Sequence, residues 1–174
     1  MIREQPLVRY FAQDQAMLDF HRDRSLVRFI IGPRGSGKSG GGIMEGMTAA
    51  AEQKPNQRGI RRSKFLVLRD TYRQLTTTTI PSFRKWLGPA SKIAGQYPII
   101  AKTHVPLADG TAVEMETTFL AMDGENIIEN LQSFEASFAW INEARGIERP
   151  DVVSMVIATC GRFPSKDEEG CSRR

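Results

Sequence analysis

The sequence contains few residues of the types that build metal sites and disulfide frameworks. Its 174 residues include two cysteines, Cys160 and Cys171, and two histidines. Neither cysteine belongs to a C-x-x-C pair, so the spacing favours neither a disulfide scaffold nor a zinc site. We expect both thiols to be reduced and to have no special role.

Long apolar runs are also missing. No stretch approaches the roughly 18 consecutive apolar residues that a membrane helix needs, and the first residues lack the apolar core of a signal peptide. With 40% hydrophobic residues, the chain is long enough for one globular domain with its own core and too short for two. These features predict a soluble intracellular protein with no membrane partner.

Charge leaves the question of a partner open. Lysine and arginine number 24 against 20 acidic residues, which gives a net charge of +4. Basic residues cluster over residues 58–64, a composition that suits DNA and is equally common in a solvated loop. Arg69 is ambiguous in the same way, because it could contact DNA phosphates or pair with a helix carboxylate.

The sequence does contain a glycine-rich segment that fits the phosphate-loop pattern G-x-x-x-x-G-K-[ST] at every fixed position. An apolar run over residues 26–31 precedes it, and a predicted helix over residues 38–53 follows it. This is the strand, loop and helix order that a phosphate-binding loop requires. The candidate nucleotide-binding residues are Gly32, Pro33, Arg34, Gly35, Ser36, Gly37, Lys38 and Ser39.

The residue types in this loop suit the binding of a nucleoside triphosphate. Gly35 and Gly37 let backbone N–H groups approach phosphates at the positive end of the helix. Lys38 would reach the β- and γ-phosphate oxygens, and the Ser39 hydroxyl would hold Mg²⁺. The alternative is a glycine-rich turn without a ligand.

The segment before the loop adds one candidate. Residues 8–25 form a loose amphipathic pattern that predicts a helix, and Gln13 and Gln15 lie within it. In several P-loop families a glutamine before the first strand contacts adenine, which makes Gln15 a candidate nucleotide-binding residue. An exposed helix glutamine is the alternative interpretation.

The rest of the pattern predicts an α/β fold with a mainly parallel central sheet flanked by helices. A continuous apolar run over residues 64–69 is typical of a buried parallel strand. Asp109 and Gly110 form a strong turn signal that predicts a β-hairpin insertion. Further helices are predicted after Thr71, with an interruption near Pro81, over 127–131, and over 148–159 with Pro150 in the first turn.

A second chemical signal is the apolar strand over residues 137–143, which ends in Asn142 and Glu143. In P-loop ATPases a strand beside the loop ends in an acidic residue that orients the metal, and a following glutamate activates water. Asn142 occupies the metal position and Glu143 the position of the base. The alternative is a buried strand that runs into an ordinary exposed turn.

Taken together, these residues resemble the ATPase domain of the large terminase subunit of tailed bacteriophages, a DNA-packaging motor. The resemblance covers most of the chain, and the ordered set of segments is more specific than the loop alone. The matching segments are residues 32–39, 61–63, 67–72, 77–80, 109–111, 140–145 and 161–165.

The resemblance implies an additional-strand (ASCE-type) P-loop fold that hydrolyses ATP with Mg²⁺ in the host cell cytoplasm. Glu143 matches the catalytic glutamate, and Arg34 matches an arginine that stabilises γ-phosphate charge together with Lys38. The implied partners are double-stranded viral DNA, the portal protein and the small terminase subunit. The implied assembly is a homo-oligomeric ring on the procapsid, with a monomer in solution.

Two departures from that family bear on activity. Asn142 stands where most members have aspartate, and a neutral amide is a weaker metal ligand, so metal binding would depend more on Ser39 and the phosphates. Residues 1–174 are also expected to be an incomplete N-terminal ATPase domain that ends before the last strands and the nuclease, with weak or no turnover alone. Two alternatives stay open: a helicase-like DNA-remodelling ATPase, and an assembly module that binds ATP without hydrolysing it.

Overall fold

A computed structural model describes residues 10–124, 126–144 and 150–165. The helices are α1 (Gln15–Arg22), α2 (Lys38–Ala51), α3 (Tyr72–Gln74), α4 (Ile80–Leu87), α5 (Ile127–Gln132) and α6 (Pro150–Thr159). The strands are β1 (Ile60–Arg69), β2 (Ser91–Ala94), β3 (Ile99–Pro106), β4 (Ala112–Ala121) and β5 (Phe138–Ile141). A π-helical turn (Leu75–Thr79) joins α3 to α4, next to the predicted interruption at Pro81. Within the described ranges no helix is long and apolar enough to cross a membrane.

The five strands form one open sheet in the order β2-β3-β4-β1-β5. Strand β1 pairs in parallel with β4 and β5, whereas β3 pairs antiparallel with β4 and β2. The α/β class is confirmed, but the sheet is mixed rather than mainly parallel. The hairpin predicted at Asp109 and Gly110 is present, yet it is not an insertion, because β4 pairs with β1 along all 10 residues of β1.

Strand β1 is buried on both faces, as its continuous apolar run predicts. Phe65 and Val67 belong to a core cluster with residues of α2 and α4. Leu66 and Leu68 belong to a second cluster with residues of α5 and α6. The sheet is therefore covered by helices on both sides at this strand, which is the layer order expected for an α/β fold.

Glycines on one side of α2 let this helix lie very close to the sheet. A Cβ atom on Gly46 would lie 2.5 Å from the Phe65 ring, and one on Gly42 would lie 2.5 Å from the Trp140 indole. In the sheet register, Phe65 lies beside Phe138 and Val67 beside Trp140. The helix therefore runs antiparallel to β1 and β5.

This orientation decides where α2 begins. Between Gly46 and Gly42 the helix rises about 6 Å, which matches the rise of about 6.6 Å between Phe138 and Trp140. Another four helical residues lead to Lys38, at the height of the residues that follow Ile141 in the strand direction. The phosphate loop therefore lies at the edge of the sheet where β1 and β5 end.

The strand predicted over residues 26–31 is absent. Leu26, Phe29 and Ile31 are exposed, and no strand pairs with the outer edge of β5 among the described residues. Arg28 instead holds this segment on the helices, since its guanidinium donates to the carbonyl of Phe20 at 3.1 Å and lies 2.7 Å from Glu45 Oε1 on α2. The prediction was wrong because an apolar run becomes a strand only where a partner edge supplies backbone hydrogen bonds.

The helix predicted over residues 8–25 is α1, which is shorter than its pattern; residues 8 and 9 lie outside the described ranges. Asp14 caps it, with Oδ1 accepting from the backbone N–H of Met17 at 2.8 Å. The helix predicted over 148–159 is α6, which begins at Pro150 as expected; residues 148 and 149 are outside the described ranges. Both helices confirm the predicted elements with different ends.

Cys160 is a free thiol. Its Sγ donates to the carbonyl oxygen of Val156 at 3.3 Å, and burial raises the pKa of the thiol above its usual range. A raised pKa keeps the thiol protonated and poorly nucleophilic. This fits the role expected for it, and Cys171 lies outside the described residues.

Candidate functional site: the phosphate loop and the end of strand β5

The phosphate loop has the backbone conformation that its glycines predict. Gly35 and Gly37 have φ angles of 82° and 75°, in the left-handed region that favours glycine. Gly37 is also the N-cap of α2, and no side chain caps the first N–H groups of this helix. These donors carry the partial positive charge of the helix N-terminus, so the loop is suited to an anion.

Lys38 is folded over the loop. Its Nζ atom donates to the carbonyl oxygens of Gly32 and Pro33, both at 2.6 Å, and to Ser36 Oγ at 3.1 Å. The ammonium group therefore lies against the loop backbone and satisfies carbonyls that the tight turn leaves without helical partners. From this position it adds positive charge to the same concave surface as the α2 N–H groups.

The remaining loop side chains are accessible. Arg34 is exposed at the tip of the loop, and Ser39 is half-buried in the first turn of α2. Neither side chain forms a hydrogen bond or ion pair with the described part of the chain. Both side chains are free to contact a ligand at the places that the motif predicts.

The glutamine at the loop is Gln13 rather than Gln15. Gln15 is exposed and donates to Asp19 Oδ1 at 2.7 Å along α1. A Cβ atom on Gly37 would lie 2.8 Å from Gln13 Cδ and Oε1, so this amide covers the loop glycine. Because Asp14 caps α1, Gln13 stays outside the helix and reaches back, whereas Gln15 is carried away on its surface; the capping aspartate is the sequence signal that distinguishes them.

Asn142 follows β5 and continues its pairing with β1 through a bond from its N–H to the Leu68 carbonyl at 2.9 Å. The side chain is 6% exposed, and its Nδ2 donates to Thr79 Oγ1 at 2.9 Å. The hydrogen bond uses the amide nitrogen and leaves the amide oxygen for a metal or a water. Among the described residues no cluster of three or more His, Cys, Asp or Glu side chains could hold a metal ion.

Glu143 has an unusual backbone conformation. Its φ angle of 61° is in the left-handed region, and no other non-glycine residue in the described ranges has a positive φ. For a residue with a Cβ atom this conformation costs about 1 kcal/mol or more. The side chain is 66% exposed and accepts a bond of 2.6 Å on Oε2 from Arg69.

Arg69 is the site residue that the sequence did not assign. Neither DNA nor a helix carboxylate is its partner: the buried guanidinium pairs with Glu143 at the end of the neighbouring strand. Its Nη1 donates to the Asn142 carbonyl at 3.1 Å, and its Nε donates to Gln74 Oε1 at 3.1 Å. The signal available in the sequence was that two adjacent parallel strands end in charged residues of opposite sign.

The basic cluster over residues 58–64 does not form one surface. Arg61 donates to Asp109 at 2.7 Å, to Thr111 Oγ1 at 2.9 Å and to the Gln53 carbonyl at 2.6 Å. The hydrogen bonds from the Thr111 hydroxyl and N–H, followed by the Arg61 guanidinium, lower the pKa of Asp109 to about 2. Arg61 therefore fixes the β3–β4 turn, and the structure gives it a structural contact where the sequence had left DNA open.

A buried polar network lies behind α2. His21 Nδ1 is 2.6 Å from Glu45 Oε2, and the Tyr10 hydroxyl is 2.9 Å from His21 Nε2. Burial, followed by the Glu45 carboxylate, raises the pKa of the Tyr10 phenol above its ordinary value. This network ties α1 to α2 and so helps to fix the position of the phosphate loop.

The structure thus brings together the loop residues, Asn142 and Glu143 at the carboxyl edge of β1 and β5, and it adds Arg69 and Gln13 to them. No family model, curated protein or solved structure matches this chain. Any assignment of an activity therefore depends on the residues and their geometry.

Proposed function

We propose that this chain is a Mg²⁺-dependent ATP-hydrolysing module, and that it serves as the motor module of a phage terminase large subunit. The observation that supports the proposal is the antiparallel packing of α2 on β1 and β5. Because of it, the Lys38 end of the helix and the Asn142–Glu143 pair lie at one edge of the sheet. A phosphate chain and an attacking water require such a juxtaposition.

The residues of the loop fit a triphosphate. The uncapped N–H groups of α2 and the folded Lys38 side chain present positive charge on a concave backbone surface. Gly37 leaves room that Gln13 already fills, so a side chain there would disturb both the loop and its cover. Arg34, exposed at the tip of the loop, would add its charge to that of Lys38.

Ser39 and Asn142 would hold Mg²⁺ together with phosphate oxygens. The Ser39 hydroxyl and the free amide oxygen of Asn142 are oxygen ligands of the kind that Mg²⁺ prefers, and few protein ligands suffice where phosphates complete the shell. When bound, the ion neutralises negative charge on the phosphates. Asn142 is held by Thr79, so its amide oxygen has a fixed direction.

Glu143 would act as the general base. Arg69 occupies Oε2, and Oε1 stays available to accept a proton from water. The exposed carboxylate lies beside the β5 end, next to the residue proposed for the metal. The role requires a carboxylate, so an amide of the same shape separates binding from hydrolysis.

A second candidate is an assembly module that binds ATP without turnover. The amide at position 142 and the ion pair of Glu143 with Arg69 support it, because the first weakens a metal site and the second engages the base. The helicase-like alternative has no such support in the geometry of the described residues.

Three variants of the 174-residue chain test the proposal. We expect Lys38→Ala to lose Mg-ATP binding, and Glu143→Gln to bind Mg-ATP within about threefold of wild type while phosphate release under single-turnover conditions falls about 100-fold. Glu129→Gln, an exposed glutamate on α5, is the control and should match wild type. Binding without phosphate release in the wild-type chain would favour the assembly module, and absence of binding would refute both.

The macromolecular partners are a separate step of the proposal. Double-stranded DNA, a portal protein, a small terminase subunit and a ring on the procapsid follow from the terminase resemblance. If the motor assignment is right, duplex DNA with procapsids should raise phosphate release over the chain alone. Unwinding of a forked duplex without procapsids would instead favour the helicase-like alternative.

A further inference from the structure

Arg69 is a buried cation at the meeting point of three elements. It ends β1, and its side chain is 7% exposed. Its three nitrogens donate to three different acceptors: Nε to Gln74 at the end of α3, Nη1 to the Asn142 carbonyl after β5, and Nη2 to the Glu143 carboxylate. A guanidinium group has a rigid planar fork, so these contacts fix its acceptors relative to one another.

Two of these bonds hold Glu143 from both sides. The Asn142 carbonyl belongs to the peptide that links Asn142 to Glu143, so Nη1 fixes the backbone that enters Glu143. Nη2 fixes the end of its side chain at 2.6 Å. Between these two points lies the left-handed φ angle of 61°, a conformation that a glutamate adopts only when its surroundings enforce it.

We propose that Arg69 is the positioning residue of the hydrolytic site, and that it imposes the backbone and side-chain conformation in which Glu143 can act as a base. The inference rests on the function proposed above. Arg69 holds one carboxylate oxygen and leaves the other to accept the proton of water. It acts through Glu143 and does not touch the phosphates in this arrangement.

The connection from β1 to α4 takes part in the same device. Gln74, in α3, holds Arg69, and Thr79, at the end of the π-helical turn, holds Asn142. The metal candidate and the base are therefore positioned by one short segment of chain. Single-turn π-helical segments of this kind occur frequently at functional sites.

The kinetic test compares substitutions at two arginines. Arg69→Gln should lower kcat for ATP about 100-fold, since misplacement of a reacting group has losses of that order, while KM changes less than about threefold. Arg69→Lys keeps the charge but loses the fork, and it should recover to within about tenfold of wild type. Arg73→Gln, the same change at an exposed arginine in α3, is the matched control and should leave kcat and KM unchanged.

A measurement without nucleotide tests the contact itself. In the ¹⁵N-labelled ligand-free chain, the Arg69 Nε–H resonance is identified by its absence from Arg69→Lys. We expect slow exchange of this proton with water in the wild type and faster exchange in Glu143→Gln, because the neutral amide no longer holds the guanidinium. Arg73→Gln should leave this resonance unchanged.

The outcomes separate the two proposals. Wild-type phosphate release together with an unchanged kcat in Arg69→Gln, or a loss expressed in KM alone, would overturn the positioning role and leave the proposed function standing. Equal exchange of the Arg69 proton in the wild type and in Glu143→Gln would overturn it even if Arg69→Gln fails to fold. A wild-type chain that releases no phosphate would overturn the proposed function, and the positioning role with it.

Discussion

Gly46→Ala tests the close packing that places the phosphate loop. The added Cβ would lie 2.5 Å from Cε1 and 2.6 Å from Cζ of Phe65, about 1 Å nearer than a normal carbon contact. Phe65 cannot move away easily, because it is 1% exposed and its ring lies 5.2 Å from the Phe138 ring. The helix and the sheet must therefore separate or the ring must leave its rotamer.

The expected magnitude follows from two opposing terms. Overpacking of a core costs about 1–3 kcal/mol, and the upper end applies where the contacted ring is enclosed. Alanine gains about 1 kcal/mol over glycine in a helix interior. We expect a net loss of about 2 kcal/mol in the free energy of unfolding, or a midpoint about 1 M lower in urea if the m-value is about 2 kcal/mol/M.

Equilibrium urea unfolding of the wild type and two variants is the assay. Thr48→Ala changes an exposed position of the same helix and should be neutral or slightly stabilising, since only helix propensity changes. The Lys38 end of α2 should shift as well, so Gly46→Ala should bind Mg-ATP more weakly than Thr48→Ala. A Gly46→Ala variant as stable as Thr48→Ala would refute the close approach of α2 to the sheet.

Two further predictions concern stability away from the loop. The lowered pKa of Asp109, about 2, means that its ionised form stabilises the fold above pH 3.8 and that this contribution disappears as the pH falls towards 2. Asp109→Asn should therefore have a lower urea midpoint than wild type above pH 4, with the difference vanishing near pH 2; a constant difference would contradict the linkage. Ser137→Ala should lose about 1–3 kcal/mol, because the buried Oγ accepts from Lys64 N and donates to the Phe163 carbonyl, whereas Ser154→Ala on exposed α6 should change urea unfolding by less than about 0.5 kcal/mol.

The sequence predicted best those elements whose causes are local. The glycines of the phosphate loop require the left-handed backbone that Gly35 and Gly37 adopt. The buried run in β1 has no polar face, so it could only lie between two layers. The turn at Asp109 and Gly110 follows from two adjacent residues. In each case the physical reason lies within a few positions of the chain.

The features that failed depend on distant partners. The apolar run over residues 26–31 has strand-forming composition, but strand formation needs an edge, and Arg28 instead bonds to α1 and α2. The contact of Arg69 with Glu143 joins residues 74 positions apart, so only the strand order β4-β1-β5 makes it visible. The placement of Gln13 over Gly37 likewise depends on where α1 is capped.

The packing of α2 also provides an optical reporter. The sequence has two tryptophans, and both indoles lie against the first turns of this helix, Trp86 beside Gly40 and Trp140 beside Gly42. Intrinsic emission of the unlabelled chain is therefore concentrated at the helix that begins with Lys38. A titration with nucleotide followed by fluorescence would register movement of that helix directly, without any introduced dye.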